Sequence, residues 1–326
     1  MTTLPSEFPE SDRFVIDRFL GKGSFGVVYR AYDRRRHAQV ALKLLARPNI
    51  SGDLYRFKQE FRALSDLSHP HLVSLYELLL ERGHWFIVME LVDGTDFISH
   101  ISASAVRGQE PAVDRDQHAS EPTLASLAGQ TQSATIASPG ASVVTPFDLL
   151  RLELSLSQLA RALCYLHSAD RLHRDIKPSN VLVTTDGRIK VLDFGLVIEL
   201  TPETPDETLS ILGTPAYMSP EHMCSQALTQ ASDWYSVGVL LYRALTGSLP
   251  FTGSVLETLE AKQRRQTRPP HVLVNGIPAW LSDLTWDLLA PRPEDRPSGQ
   301  EVLERIPAQR ADVGRVISEP MRPVAR

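Results

Sequence analysis

Acidic, basic and amide side chains are concentrated in one stretch near the middle of the chain. Leu172–Val183 reads LHRDIKPSNVLV and VLDFG follows at Val191–Gly195, so this stretch contains His, Arg, Lys, Asn and two Asp. Apolar residues flank the polar cluster, which is typical of short buried strands that hold polar side chains at a cleft. Carboxylates and cations held side by side can bind an anionic group and orient the atoms that react with it.

A glycine-rich stretch, GKGSFG at Gly21–Gly26, lies far upstream between two apolar segments. The alternating residues of Arg13–Leu20 predict a strand before it. Because β-branched and aromatic residues follow at Val27–Tyr29, we predict a second strand, whereas a dinucleotide-binding G-x-G-x-x-G turn must open a helix. The glycines are therefore predicted to cap a hairpin, whose backbone N–H groups can lie over phosphates without interference from Cβ atoms.

A lysine interrupts the next predicted strand, Gln39–Leu45. Lys43 could lie at the surface with its alkyl chain along the sheet, or it could be a buried cation that binds phosphate oxygens and needs a carboxylate partner. Helical periodicity over Asp53–Leu67 predicts a helix, which carries Glu60 beside the core-facing Phe61. We predict that Glu60 pairs with Lys43.

Residues 101–146 interrupt the pattern of strands and helices. In this window 20 of 46 residues are Ala, Ser or Thr, there is no Phe, Trp or Tyr, and six residues are charged. Such a stretch cannot bury enough apolar surface to offset its ordering entropy, so we predict a disordered insertion within one domain. Strands are predicted before it at Leu72–Leu80 and Trp85–Glu90, and a long buried helix after it at Asp148–His167.

Bulk composition argues against several classes of protein. The 326 residues, 42% of them hydrophobic, suffice for one large domain or two lobes, and a net charge of −5 offers no basic field for nucleic acid. Cys164 and Cys224 form no disulfide framework and suit a reducing cytosol. The longest strongly apolar run, Val237–Leu241, is far shorter than a membrane span, and the acidic N-terminus is unlike a signal segment. We therefore expect a cytoplasmic protein.

In chain order, these motifs resemble those of a bacterial eukaryotic-like (Hanks-type) serine/threonine protein kinase. The resemblance runs from about Arg13 to Ile306 apart from the insertion. It rests on GKGSFG, VALK, HRDIKPSN, DFG, GTPAYMSPE, SDWYSVG and PEDRPS. Two departures are mild: Leu replaces Ile in the family's VAIK motif, and Ser219 replaces Ala in the segment that ends in A-P-E.

The resemblance implies an α+β fold of two lobes. The N-lobe would be small and mostly antiparallel β-sheet with one regulatory helix, and the C-lobe would be larger and helical. We expect the N-lobe at residues 13–91 and the C-lobe at residues 92–307, with the disordered insertion 101–146. Residues 1–12 are predicted to be a flexible leader, and 308–326 a tail or a linker to further domains.

The resemblance also implies a role for each polar residue of the central stretch. Asp175 would accept the proton of a substrate hydroxyl, and Lys177 would neutralise charge on the transferring phosphate. Asn180 and Asp193 would hold Mg²⁺, with Mn²⁺ as an alternative ion. Positioning and cations suit this reaction because its transition state spreads negative charge over three oxygens.

The nucleotide would lie between the lobes. Lys43, paired with Glu60, would bind the α- and β-phosphates of ATP, and backbone groups of Glu90 and Val92 would contact the adenine edge at a hinge. The expected ATP-binding residues are Gly21, Lys22, Gly23, Ser24, Phe25, Gly26, Val28, Ala41, Lys43, Met89, Glu90, Val92 and Leu182.

Regulation and peptide binding are implied at other positions. Arg174 would receive a regulatory phosphate carried by Thr208 or Ser210, and the position of Phe194 would report the on or off state. Thr214 would help to form a platform for a protein substrate. The residues with implied structural roles are Glu221, Asp233 and Arg296, of which Glu221 and Arg296 would form an ion pair.

Protein substrates and ATP are thus the expected partners, and an active serine/threonine protein kinase is the first hypothesis. A pseudokinase that acts as a scaffold or nucleotide-binding module is the second, but such proteins usually lose the strand Lys or a catalytic Asp. Lys43, Asp175, Asn180 and Asp193 are all present. A small-molecule phosphotransferase is the third, and it would lack the GTPAYMSPE segment.

Overall fold

The computed structural model of the protein describes residues 11–23, 26–45, 54–102, 147–194 and 215–307. Five antiparallel strands form the first sheet, in the order β1-β2-β3-β5-β4. They are β1 Phe14–Gly23, β2 Gly26–Asp33, β3 Ala38–Leu45, β4 Leu75–Glu81 and β5 His84–Glu90. A second, three-stranded antiparallel sheet consists of β6 Gly94–Asp96, β7 Val181–Thr184 and β8 Ile189–Val191.

The glycine-rich stretch joins two paired strands, as the hairpin interpretation predicts. Gly23 is the register partner of Gly26, and β2 continues to Asp33 as a strand. Gly26 has a φ of 143°, and a Cβ atom there would overlap the carbonyl oxygen of Leu44 on β3. A residue without a side chain is required at this position because the backbones approach so closely. The structure thus contradicts the dinucleotide-turn alternative.

The two faces of the first sheet have different surroundings. Phe14, Val40 and Phe86 contribute to a small separate core on one face. Ala41 belongs to the main core on the other face. Because side chains alternate along a strand, Lys43 lies on the same face as Ala41.

One helix, α1 Leu54–Ser65, lies between β3 and β4, close to the predicted Asp53–Leu67. It buries Phe61 and Leu64 in the main core. Strand β4 begins three residues later than predicted, because Leu72 instead forms a parallel bridge with Val191 of the second sheet.

The rest of the described chain is mostly helical. The helices are α2 Phe97–Ile101, α3 Leu149–Ser168, α4 Pro220–Met223, α5 Gln230–Thr246, α6 Val255–Gln263, α7 Pro270–Leu273, α8 Ala279–Leu288 and α9 Gly299–Arg305. Helices α3 and α5 supply much of the core, and 13 of the 17 residues of α5 are buried. The predicted α+β architecture with a β-sheet lobe and a helical lobe is confirmed. No helix in the described ranges is long and apolar enough to span a membrane.

The insertion leaves and re-enters the fold at adjacent points. Ser102 forms an antiparallel bridge with Phe147, and the N–H of Asp148 donates to the carbonyl of Ile101 at 2.7 Å. Ile101 is buried in α2, so Ile101 and Ser102 belong to the folded lobe although the sequence places them in the insertion. Residues 103–146, the leader up to residue 10 and the tail from residue 308 lie outside the described residues.

Candidate active site

The loop between α3 and β7 carries the central polar cluster, and Asp233 of α5 holds its backbone. Both carboxylate oxygens of Asp233 accept backbone hydrogen bonds at 2.8 Å, one from the N–H of His173 and one from the N–H of Arg174. The His167 ring lies 2.9 Å from the same carboxylate. Burial alone would raise the pKa of Asp233, but these hydrogen bonds and the nearby histidines hold it below its ordinary value. The ionised carboxylate therefore fixes the loop, including the left-handed backbone of Arg174 at φ 69°.

The His173 ring connects this loop to the strand that precedes Asp193. Its Nδ1 accepts from the N–H of Asp175 at 3.2 Å, and its Nε2 lies 2.9 Å from the carbonyl of Leu192. Nε2 must therefore carry the proton in a neutral ring. Complete burial lowers the pKa of His173, which favours that neutral form. A buried ring with both nitrogens engaged acts as a structural bridge.

Asp175, Lys177 and Asn180 are brought together at the cleft. The Lys177 ammonium lies 2.8 Å from Asp175 Oδ2, and the Asn180 amide donates to both Oδ2 and the carbonyl of Asp175 at 2.8 Å. A 3₁₀ turn at Pro178–Asn180 returns the chain to β7 and places Asn180 beside Asp175. The carboxylate is thus held by a cation and an amide and lies partly open to the cleft, with 10% of its side chain exposed.

Lys43 and Asp193 meet from opposite lobes. The Lys43 ammonium lies 2.7 Å from Asp193 Oδ2, and the lysine is buried. This contact contradicts the surface alternative for Lys43. Glu60 lies half-buried on α1, and its pairing with Lys43 stays a prediction. Phe194 is buried in the main core next to Asp193.

A cavity of about 410 Å³ lies between the lobes. Ten predicted nucleotide-binding or metal-binding residues line it, namely Gly21, Lys22, Val28, Ala41, Met89, Glu90, Val92, Asn180, Leu182 and Asp193. Gly23 and Gly26 belong to the adjoining hairpin, and Ser24 and Phe25 lie outside the described residues. A larger cavity of about 770 Å³ lies at the β7–β8 turn, but none of the predicted catalytic residues lines it.

The donor groups at this cavity fit a divalent cation. Asp193 Oδ1 is buried and has no hydrogen-bond partner among the described residues. An unpartnered carboxylate oxygen in such a place is costly unless a ligand or ion binds it. Asn180 lines the same cavity, and carboxylate and amide oxygens are the ligands that Mg²⁺ takes from proteins. Asp193 and Asn180 are therefore the residues that would hold the metal.

Below the cleft, Glu221 and Arg296 form a buried bidentate pair. The two guanidinium nitrogens of Arg296 lie 2.6 and 2.8 Å from the two carboxylate oxygens. Burial alone would raise the pKa of Glu221, but the Arg296 hydrogen bonds and charge outweigh it, so the pKa is below its ordinary value. The pair joins α4 to the turn before α9, and Ser232 of α5 also donates to Glu221 at 2.8 Å.

The regulatory predictions are only partly covered by the structure. Arg174 is exposed, and its neighbour in the chain is Asp175. Thr208, Ser210 and Thr214 lie outside the described residues, so their roles stay predictions. The structure thus gives the position of Arg174, which is expected to bind the regulatory phosphate, but not that of the residues expected to carry this phosphate.

Two lysines near the cleft were not identified from the sequence. Lys190 of β8 lies 2.8 Å from Glu90 at the end of β5, and Lys262 of α6 is fully buried under the segment that follows residue 214. Lys190 sits in a short strand beside apolar residues, which could have marked it. Lys262 stands in the polar sequence LEAKQRR, which gave no signal.

Comparison with known proteins agrees with this geometry. The chain is 30% identical over 262 residues to serine/threonine-protein kinase PrkC of Bacillus subtilis, and the aligned region covers 79% of this chain and 34% of PrkC. It is 32% identical over 289 residues to PknL of Mycobacterium tuberculosis, covering 87% and 62%, and 29% identical over 310 residues to PknA of the same species, covering 92% and 62%. The chain thus spans from about one third to slightly less than two thirds of the length of these relatives. The sequence profile of the protein kinase domain matches residues 14–306, and the chain belongs to that family.

Proposed function

We propose that this domain transfers the γ-phosphoryl group of ATP to serine or threonine hydroxyls of proteins. The observation that carries the proposal is the assembled cleft. Asp175 is held by Lys177 and Asn180, while Lys43 from the other lobe meets Asp193 at 2.7 Å beside a cavity of about 410 Å³. These five side chains thus lie together beside a cavity that a nucleotide could enter, which supports the proposal.

Each side chain has a defined task in this proposal. Asp175 accepts a hydrogen bond from the substrate hydroxyl, orients its oxygen toward the phosphorus, and takes its proton as the new P–O bond forms and the bond to ADP breaks. Lys177, 2.8 Å from Asp175, offsets the negative charge that spreads over the phosphoryl oxygens. Lys43 binds phosphate oxygens of the nucleotide.

Asp193 and Asn180 would hold Mg²⁺, or Mn²⁺, which would supply positive charge that offsets part of the negative charge of the ATP phosphates. Asp193 presents a buried, unpartnered Oδ1 among the described residues, and Asn180 lines the same cavity. The apolar Val28, Ala41 and Leu182 also line the cavity and suit a flat aromatic base.

The choice of serine and threonine rests on resemblance and on the relatives. KPSN follows Asp175, as in the serine/threonine class, and the relatives are named serine/threonine-protein kinases. The GTPAYMSPE segment favours a protein over a small-molecule substrate. We further propose that the domain phosphorylates its own loop at Thr208 or Ser210, and that the exposed Arg174 pairs with that phosphate.

A pseudokinase scaffold is the competing function. The intact set of Lys43, Asp175, Asn180 and Asp193, gathered in one cleft, favours the active enzyme. The two functions differ in phosphate transfer and can be separated by one substitution.

The experiment measures transfer of labelled phosphate from Mg-ATP to the domain itself and to a generic protein. We expect Asp175→Asn to lower the rate by about 10²–10⁴-fold, because the positioned carboxylate is lost. Asp170→Asn is the matched control, since this exposed aspartate lies five residues earlier, outside the cleft, and its variant should keep the wild-type rate. Equal labelling by wild type and Asp175→Asn would contradict the active-kinase proposal.

A further inference from the structure

The backbone carbonyl groups of Pro215–Met218, which we call the platform segment, accept hydrogen bonds from side chains of other elements. It forms a turn rather than a helix or strand, and Tyr217 and Met218 within it are buried. Buried carbonyl groups outside regular structure need donors from elsewhere, because an unpaired one costs free energy. All four carbonyls of the platform segment receive their hydrogen bonds from side chains of α5 and α6.

Lys262 of α6 supplies most of these donors. Its Nζ lies 2.6 Å from the carbonyl oxygen of Pro215, 3.0 Å from that of Ala216 and 2.6 Å from that of Met218. An ammonium group has three N–H donors, so each carbonyl can receive one. The remaining carbonyl, that of Tyr217, accepts from the hydroxyl of Ser236 at 2.9 Å.

Burying the ammonium group of Lys262 costs free energy. Its exposed fraction is 0%, and no carboxylate lies within ion-pair distance of it in the part of the chain that the structure describes. Its ammonium lies 5.7 Å from the centre of the Tyr235 ring, a weak attraction. Burial lowers the pKa of Lys262 to about 7, although the negative charge of Glu221 acts in the opposite direction. A buried cation without a carboxylate partner contributes little to stability. The role of Lys262 therefore lies in the carbonyl groups that its ammonium holds.

We propose that Lys262 is a positioning residue for the protein substrate. Its ammonium fixes the backbone of the platform segment, against which the substrate chain lies, and so it determines how tightly a protein or peptide is bound. The inference rests on the proposed kinase function and deepens it. Lys262 lies outside the nucleotide cavity and does not line it, so binding and hydrolysis of ATP should not depend on it.

The test compares wild type with Lys262→Met, which keeps the length of the side chain and removes all three donors. Four quantities are measured: the KM for a serine-containing peptide, the KM for ATP, kcat, and ATP hydrolysis without peptide. We expect the peptide KM to rise about tenfold or more, while kcat, the KM for ATP and the basal hydrolysis stay within about twofold, because binding of the peptide is weakened equally in the ground state and the transition state. Lys58→Met, the same change at an exposed lysine of α1, is the matched control and should leave all four values unchanged.

A parallel change in the peptide and ATP constants, or an unchanged peptide KM, would overturn the inference. If Lys262→Met does not fold, Ser236→Ala decides in its place, since it removes the hydroxyl that donates to the Tyr217 carbonyl. A rise in peptide KM alone supports the positioning role, and an unchanged peptide KM refutes it. A wild type that phosphorylates no peptide would refute the proposed function itself, which is a separate outcome.

Discussion

Arg292 and Arg296 show how burial changes what one residue type contributes. Arg296 has 0% of its side chain exposed and bonds both oxygens of Glu221. It also donates to the carbonyls of Ala290, Pro291 and Ala231 at 2.8–2.9 Å. Arg292 pairs with Asp295 at 2.8 Å, but 70% of its side chain is exposed. Water screens the exposed pair, whereas little water reaches the buried pair to replace either charged partner.

We expect Arg296→Met to lower the free energy of unfolding by about 3–5 kcal/mol, because it leaves the Glu221 carboxylate buried without its cation. Urea unfolding measures this as a lower midpoint at an unchanged slope. Arg292→Met is the matched control and should leave the midpoint where it is. The further change Glu221→Leu in the Arg296→Met background should recover part of the loss. A midpoint for Arg296→Met equal to that of wild type would refute the assigned role.

At the scale of elements, the packing of α5 against α8 depends on a residue without a side chain. A Cβ atom at Gly238 of α5 would come within 2.8 Å of Leu288 Cβ and 3.3 Å of Leu289 Cδ2. The first distance is too short for a real contact, and Leu288 Cβ is fixed to the backbone and cannot rotate away. The two helices can approach this closely only because position 238 is glycine.

Gly238→Ala should therefore destabilise the domain by up to about 2 kcal/mol. Alanine favours a helix by about 1 kcal/mol over glycine, but overpacking costs about 1–3 kcal/mol and prevails where neither helix can move. The measurement is again urea unfolding, now as a double-mutant cycle with Leu288→Ala. Leu288→Ala keeps the Cβ atom but removes the rest of the side chain, which gives α8 space to shift away from position 238. The loss in the free energy of unfolding of the double variant should therefore be smaller than the sum of the losses of the two single variants. Additive costs, or a stabilised single variant, would show that the helices do not clash.

At the scale of the whole molecule, contacts between the lobes converge on β8 and the residues after it. Lys43 of β3 meets Asp193, and Glu90 at the end of β5 meets Lys190 of β8 at 2.8 Å. The backbone of His71–Val73 also pairs with Val191, with hydrogen bonds of 2.8 and 3.0 Å. The sheet lobe is thus attached to β8 and to Asp193, which lines the cavity between the lobes, so the relative position of the lobes directly affects the geometry of Asp193.

The adjacent ends of the insertion lead to a prediction about its removal. Ser102 and Phe147 are already paired, so four Gly and Ser residues can replace residues 103–146 without moving either end. We expect the basal kinase rate to be kept. The free energy of unfolding should be unchanged or raised by up to about 2 kcal/mol, since closing a shorter loop costs less conformational entropy. The control retains the length but scrambles the order of residues 103–146. A shortened protein that loses activity while the scrambled one keeps it would show that the connection length itself matters.

The sequence by itself predicted most of the strands and long helices, because these depend on periodicity within short windows, and its motifs indicated the family and the candidate site residues through resemblance. GKGSFG followed by Val27 predicts a hairpin, and HRDIKPSN predicts a catalytic loop, without any knowledge of distant residues. Helix and strand ends were less certain: β1 extends through Gly23, and Leu72 leaves β4 to pair with Val191.

Only the tertiary structure decided which distant groups meet. Asp233 reaches the backbone of His173 and Arg174 across about sixty residues, and Lys262 reaches the platform segment across more than forty. The sequence suggested the first contact through resemblance, and it gave no sign of the second. The physical reason is that the polar sequence LEAKQRR around Lys262 is typical of a lysine on the exposed face of a helix. The burial of Lys262 follows from how α6 packs under Pro215–Met218, which no short window of sequence contains.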